Sequence, residues 1–334
     1  MFLGGNQMEE SKDLAIGLDL GGTKILAALI SRQGEILGEF ECKTSAGEKR
    51  DAAANILFAI NSLLADTAAD RNRIIGIGVA SAGIIDSEQK IIHYAKNIGL
   101  KNFPIGTLLE DNLQLPVRLS NDANAAAVGE WIWGAGRGKQ NVIYITVSTG
   151  VGSGIISNGQ LITGIHDSAG EFGHITISHD GILCECGNRG CLEKYASGTA
   201  INERANQLLK NGETSSLLSI IEKGLVVTNK EIDAAAKQGD LFSIRLLKEA
   251  GEYLGMGVIS LIHLFNTEAV VLGGGVMNMA AFILPSIKET VAKYGIPKMV
   301  NGVEIKESAL GNKAGVIGAA GLFYLNNDAQ VTMN

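Results

Sequence analysis

Residues 14–30 read Leu-Ala-Ile-Gly-Leu-Asp-Leu-Gly-Gly-Thr-Lys-Ile-Leu-Ala-Ala-Leu-Ile. The apolar run Leu14–Leu20 reads as a buried strand that meets a turn at Gly21-Gly22, and residues 25–30 continue as a second strand. After a turn at 31–34, residues 35–42 supply a third. A three-strand meander at the start of the chain is unlike the strand-helix-strand opening, with its G-x-G-x-x-G turn, of a dinucleotide-binding oxidoreductase. The turn Asp19-Leu20-Gly21-Gly22-Thr23-Lys24 precedes a strand and lacks the G-x-x-x-x-G-K-[ST] spacing, so it is no P-loop. Its glycines still let backbone N–H groups approach a phosphate. Asp19 is placed to orient Mg²⁺ through water, and Thr23 and Lys24 add donors.

Working outward, helical spacing covers residues 49–64, and an apolar strand at 73–80 runs into Ser81-Ala82-Gly83. A short strand at 115–120 is followed by Asn121 and Asp122, either able to cap the Ala-rich helix 123–132. The strand 141–147 ends in Ser148-Thr149-Gly150-Val151-Gly152, and Asn158-Gly159 marks a hairpin between 154–157 and 160–163. The later half is more helical: 192–209, 231–237 and a long glycine-containing apolar helix over 240–265. A strand at 269–272 enters Gly273-Gly274-Gly275. Then come a helix over 277–293 with Pro285 as a point of kink or break, a strand at 303–307 and a last helix at 313–325. Strands alternating with helices in both halves predict an α/β protein of two sheet-centred domains with a cleft between them.

Composition agrees. A chain of 334 residues suggests about two domains. With 46% hydrophobic and 19% charged residues it reads as compact and soluble. The 43 glycines against 4 prolines imply many tight turns. A net charge of −7 and no Lys/Arg stripe argue against a nucleic-acid partner. No apolar run reaches membrane-spanning length, and Met1 to Asp13 lacks the pattern of a signal peptide, so the expected location is cytoplasmic. Three of the four cysteines lie between 184 and 191, which favours a metal site over a disulfide framework.

Three glycine-rich turns, at 21–22, 149–152 and 273–275, each follow a strand, as a nucleotide spread across a cleft requires. Asp122 sits at a strand end and helix start, where the helix N-terminus favours its ionised form. An ionised Asp there can take the proton of a hydroxyl attacking phosphorus. His174, Cys184, Cys186 and Cys191 form a compact four-ligand Zn²⁺ set, with His179 a competing ligand. Gly187 and Gly190 supply tight turns for the loop. Four protein ligands close a structural shell, and the loop would hold Glu171 and Glu193 near the ligand histidine.

Together these residues resemble the ROK family of repressors, open-reading-frame proteins and sugar kinases, in particular its glucokinase-like branch. The resemblance rests on Asp-Leu-Gly-Gly-Thr-Lys at 19–24, Ser120-Asn121-Asp122-Ala123-Asn124-Ala125-Ala126-Ala127 with Gly129-Glu130, and Thr149-Gly150-Val151-Gly152-Ser153-Gly154. It continues through Ala169-Gly170-Glu171-Phe172-Gly173-His174 and Cys184-x-Cys186-Gly187-x-x-Gly190-Cys191-Leu192-Glu193, so that it spans nearly the whole chain. It implies ATP-dependent phosphorylation of a hexose, glucose foremost, in a two-domain actin-like ATPase or ribonuclease H-like sugar kinase fold. The small domain is expected over 1–121, with the last helix (about 313–330) returning to it, and the larger domain over 122–312 with a zinc loop at 174–191. Asp122 matches the family's general base. Asn97, Asn121, Glu171, His174 and Glu193 match its sugar contacts. Asp19, Gly21, Gly22, Thr23, Lys24, Thr149 and Gly150 match its phosphate elements, and Gly274 and Gly275 fall at its adenosine end. ATP, Mg²⁺ and structural Zn²⁺ are the implied cofactors, and a homodimer or homotetramer the implied assembly. Ser81-Ala82-Gly83 and Leu100 depart from the Pro-Gly and Trp common in glucokinase-like members, which keeps N-acetylmannosamine and N-acetylglucosamine as alternative substrates. The family's repressors carry a winged-helix domain in front, and about 13 residues precede the first strand here. A sugar sensor without turnover is the alternative of a different class.

Overall fold

The computed structural model describes residues 12–44 and 49–325, and divides them into two compact units. The first comprises residues up to Gly129 together with those from Lys313, and the second is Glu130–Asn312. Residues 1–11, on which most of the signal-peptide reading falls, and 326–334, which hold the end of the expected last helix, lie outside the described residues.

In the first unit β1 (Leu14–Leu20), β2 (Lys24–Ser31) and β3 (Ile36–Lys43) form the expected meander. The helix α1 (Lys49–Thr67) follows, then β4 (Ile74–Ser81), which pairs parallel with β1. Both β1 and β2 are buried almost throughout, as continuous apolar runs predict for central strands. Residues 84–113 hold elements that hydrophobic periodicity does not reveal. These are a separate three-stranded sheet of β5 (Ile84–Asp86), β6 (Ile91–Ala95) and β7 (Leu100–Phe103), and α2 (Ile105–Leu113). Its strands are three to five residues long with outward Ile84 and Tyr94, so they lack a clean two-residue alternation. The strand β8 (Val117–Asn121) closes the main sheet in the order β3-β2-β1-β4-β8 and leads directly into α3 (Asp122–Ile132).

The second unit repeats this order. β9 (Val142–Val147), β10 (Val151–Ser157) and β11 (Gln160–Leu161) are an antiparallel meander, and the hairpin turns at Asn158-Gly159, both with positive φ. The helix expected over 192–209 is two: α4 (Glu193–Ala196) and α5 (Gly198–Lys210). Ser197 breaks it because its extended backbone lets its hydroxyl cap α5 on the Ala200 amide. After α6 (Leu218–Glu222) and α7 (Asn229–Lys237), the latter opened by a Thr228/Glu231 capping box, comes the 25-residue α8 (Leu241–Phe265). β12 (Ala269–Gly273) pairs parallel with β9. The expected helix from 277 starts instead as a 3₁₀ turn at Gly275–Met279 and becomes α9 (Ala280–Tyr294), which runs through Pro285. α10 (Pro297–Val300) and β13 (Glu304–Glu307) complete the sheet, β11-β10-β9-β12-β13. α8 and α9 pack closely: a Cβ at Gly251 would lie 2.6 Å from the Ile283 carbonyl oxygen.

The last helix, α11 (Ala314–Gly321), lies on the first unit's sheet. Gly17 in β1 and Gly78 in β4 admit it, since a Cβ at either would collide with the carbonyl oxygen of Val316 or Ala319. The chain crosses between units twice, after Gly129 and after Asn312. On the second unit's side Glu130, fully buried, accepts the amides of Ala135 (2.7 Å), Leu310 (2.8 Å) and Ala309 (3.2 Å) and the Ser308 hydroxyl. Those bonds satisfy a carboxylate that would be costly to bury alone, and they tie the end of α3 to the segment before α11. No helix among the described residues is long and apolar enough to cross a membrane.

Candidate active site

Within the first unit the sheet brings two strand ends together. Asp19 is next to last in β1 and registers with Ala80 of β4, whose neighbour Ser81 registers with Asn121 of β8. Asp19 at the end of β1 and Asp122, which follows β8, are therefore separated only by β4. Desolvation pushes the Asp19 carboxyl up to about 6, the negative charge of Asp122 adds to the rise, and Lys24 opposes it. A Cβ at Gly315, in the first turn of α11, would lie 2.9 Å from Asp19 Oδ2. Burial also raises the Asp122 carboxyl, against amide donation from Ala123. That amide donates to Asn121 Oδ1 (2.9 Å), which caps α3, and to Asp122 Oδ1 (2.8 Å) in its first turn.

The turn after β1 closes with the Gly21 amide on the Lys24 carbonyl at 3.0 Å. Thr44 finishes it, through its hydroxyl to the Gly21 carbonyl (2.7 Å) and its amide to the Thr23 carbonyl (3.1 Å). Sequence reasoning missed Thr44, which carries no motif and meets the turn only through strand pairing. The amides of Gly22 and Thr23 donate to no protein acceptor among the described residues, and both residues are exposed. Asn97 abuts this turn: a Cβ at Gly22 would stand 3.1 Å from the Asn97 Cβ. Lys24 directs its ammonium to Glu41 of β3 at 2.6 Å.

In the second unit the turn Ser148-Thr149-Gly150 is held on several sides. The Ser148 carbonyl accepts from the Gly198 amide (2.7 Å), and the Thr149 carbonyl from the Thr199 hydroxyl (2.9 Å). The Ser148 hydroxyl accepts from the Gly275 amide at 3.4 Å, which places the second and third glycine-rich turns side by side. Gly274 has a positive φ of 89° and caps the 3₁₀ turn that follows β12. The amides of Thr149 and Gly150 again donate to no protein acceptor among the described residues. Each unit thus offers a turn with two uncommitted N–H groups, which suits the oxygens of a polyphosphate.

Close to that turn lies the cysteine loop. A Cβ at Gly173 would strike the Val151 carbonyl, so only glycine lets the segment 171–174 press on the start of β10, with Phe172 buried as its anchor. His174, Cys184, Cys186 and Cys191 present ligand atoms that all lie within 4.8 Å of one another. Cys186 Sγ is 3.6 Å from Cys191 Sγ, and Cys184 Sγ is 3.7 Å from His174 Nδ1. Zn–S bonds of about 2.3 Å and Zn–N bonds of about 2.0 Å set tetrahedral edges of roughly 3.5–3.8 Å, so the donors fit a single Zn²⁺. The loop reaches this shape with positive φ at Gly187 (93°) and Gly190 (70°), and the Tyr195 hydroxyl accepts the Ile182 amide at 3.0 Å. The Asn188 amide leads the groups that bring Cys186 down to about 7, while burial and the neighbouring sulfurs push Cys191 up to about 12. His179 is almost fully exposed and pairs with Asp180 at 2.8 Å, outside the cluster. His174 turns its Nε2 toward Glu171 Oε2 at 3.9 Å, leaving an exposed carboxylate beside the loop. Glu193 Oε2 accepts the Val151 amide at 2.8 Å.

The Asp19 environment carries its own test. Its raised carboxyl binds a proton in the fold that it has lost in the unfolded chain over the interval from about 3.8 to about 6. Its contribution to stability is therefore greatest below about 3.8 and is lost as the pH rises through about 6. Asp19→Asn should raise Tm by a few degrees at pH 7.5 and leave it nearly unchanged at pH 4, measured by calorimetry without nucleotide or Mg²⁺.

Against known proteins, the family model described as "ROK family" matches residues 15–325. The glucokinase of Halalkalibacterium halodurans is 38% identical over 312 residues, which covers 92% of this chain and 94% of that one. A ROK family glucokinase from Streptomyces griseus, solved in complex with glucose and AMPPNP, superposes with a TM-score of 0.78 at 34% identity, over 92% of this chain and 98% of the other. A ROK family transcriptional regulator, a homologue of the E. coli MLC protein, superposes at 0.85 with 30% identity, over 96% of this chain and 80% of its own. The two five-stranded sheets, each in the order meander-then-parallel, are the fold these structures share.

Proposed function

Because the chain belongs to the ROK family, we infer that it is an ATP-dependent hexose kinase with glucose as its first substrate. The observation that carries this reading is Asp122. The chain matches a glucokinase along nearly its full length, and it places a carboxylate with a raised pKa at the head of α3.

In the reaction we assign, the exposed amides of Gly22 and Thr23 and those of Thr149 and Gly150 bind the phosphates of ATP, with Gly274 and Gly275 at the adenosine end. Asn97, Asn121, Glu171, His174 and Glu193 hold the sugar. Asp122 accepts the proton of the attacking hydroxyl as the new O–P bond forms, and ADP departs with the electrons of the broken bond. Asp19, buried at the end of β1 and raised by burial and by the neighbouring Asp122 charge, is the residue that would hold Mg²⁺ through water. A cation held there would supply neutralisation of charge on the transferring phosphoryl group. His174, Cys184, Cys186 and Cys191 would hold Zn²⁺ as four protein ligands. A metal there would fix the loop that carries Glu171, His174 and Glu193, the residues assigned to the sugar.

The test is ADP release with ATP and Mg²⁺ in the presence and absence of glucose, beside N-acetylmannosamine and N-acetylglucosamine. Glucose-dependent turnover well above the sugar-free rate is expected. Turnover with an N-acetylhexosamine alone would move the substrate, and glucose binding without ADP release would identify a sensor such as the family's regulators.

A further inference from the structure

Glu193 touches both halves of the second unit's site. It begins α4 two residues after Cys191, and Leu192 between them is tied to the loop by its amide on the Ile175 carbonyl at 3.0 Å. Its side chain then reaches the opposite way, to the turn between β9 and β10. There Oε2 takes the Val151 amide at 2.8 Å, and a Cβ at Gly150 would collide with the same oxygen. The turn's carbonyls at Ser148 and Thr149 are drawn off by Gly198 and Thr199 of α5. With the carbonyls fixed on one side and Val151 fixed by Glu193, the peptide planes of Thr149 and Gly150 have little freedom left. Their two uncommitted amides consequently keep one direction.

We propose that Glu193 is a positioning residue for the nucleotide: its carboxylate sets the Thr149-Gly150 turn for phosphate, in addition to any contact with the sugar. The inference rests on the ATP reading above. It makes the cysteine loop, through Glu193, part of the nucleotide site as well as of the sugar site. A charge-assisted bond of this kind is short and strong, so its loss should be visible in nucleotide affinity even with no sugar present.

The measurement is calorimetric binding of a non-hydrolysable ATP analogue with Mg²⁺ and no sugar. Glu193→Ala should weaken Kd by about tenfold or more. Glu193→Gln keeps a carbonyl oxygen for the Val151 amide and should stay within about threefold of the parent. If Glu193→Ala does not fold, Glu193→Asp, shorter by one methylene, gives the same reading through a loss of nucleotide affinity. Unchanged affinity in a folded Ala or Asp variant, where the parent binds, overturns this inference alone. A parent protein that binds no analogue overturns the ATP reading and this inference with it.

Discussion

Asp122→Asn should lower kcat by about 10³-fold while the hexose KM stays within about threefold. The amide is nearly isosteric and keeps an oxygen for the Ala123 amide, so the head of α3 is preserved. What it lacks is the capacity to accept a proton. An unchanged kcat, measured by coupled ADP assay over a range of sugar concentrations, would remove Asp122 from the chemistry. The pH dependence carries a second, linked result. Burial holds the Asp122 carboxyl above the usual carboxylate range, and only its ionised form can serve as base. Activity should thus decline on the acid side at a higher pH than an ordinary Asp would give, and the decline should vanish into the residual rate in Asp122→Asn.

Removing the zinc assigned to the cysteine loop should have the other large effect. Dialysis against a chelator, or Cys184→Ser, is expected to release about one equivalent of zinc and abolish glucose-dependent ADP release. A ligand present at a thousandfold excess over its Kd contributes about 4 kcal/mol of stability. At about 2–4 °C per kcal/mol for a unit of this size, Tm of the second unit's transition should fall by roughly 10 °C. The physical reason lies in the ligand set. Cys191 is buried with its thiol pushed up to about 12 among other sulfurs, so without a cation the loop loses its cross-link and gains only weak thiol contacts. A zinc-free variant with full activity would separate the loop from the sugar site.

Much of this was legible in the sequence, and the limits are instructive. The apolar runs of β1, β2, β4, β9 and β12 announce themselves because central strands are buried on both faces. The glycine-rich turns and the cysteine spacing are local, so residue order alone exposes them. The sheet of β5, β6 and β7 is hidden by short strands with one wet face. The break at Ser197 depends on a single hydroxyl choosing to cap rather than continue a helix. Thr44, Glu130 and the Val151 partner of Glu193 are long-range, and no spacing rule connects 44 with 21, 130 with 310 or 193 with 151. What sequence reading misses at this site is therefore the set of hydrogen bonds that aim the motifs rather than the motifs themselves.

The return of α11 to the first sheet has a consequence for synthesis on the ribosome. Gly17 and Gly78 leave room on the sheet that residues of α11 occupy. The strands made first must wait while the whole intervening unit emerges, roughly 10–40 s at ordinary elongation rates. The second unit is contiguous and has every partner it needs before then. The order of completion is thus the reverse of the order of translation, and the N-terminal sheet stays without α11 until translation has passed residue 321.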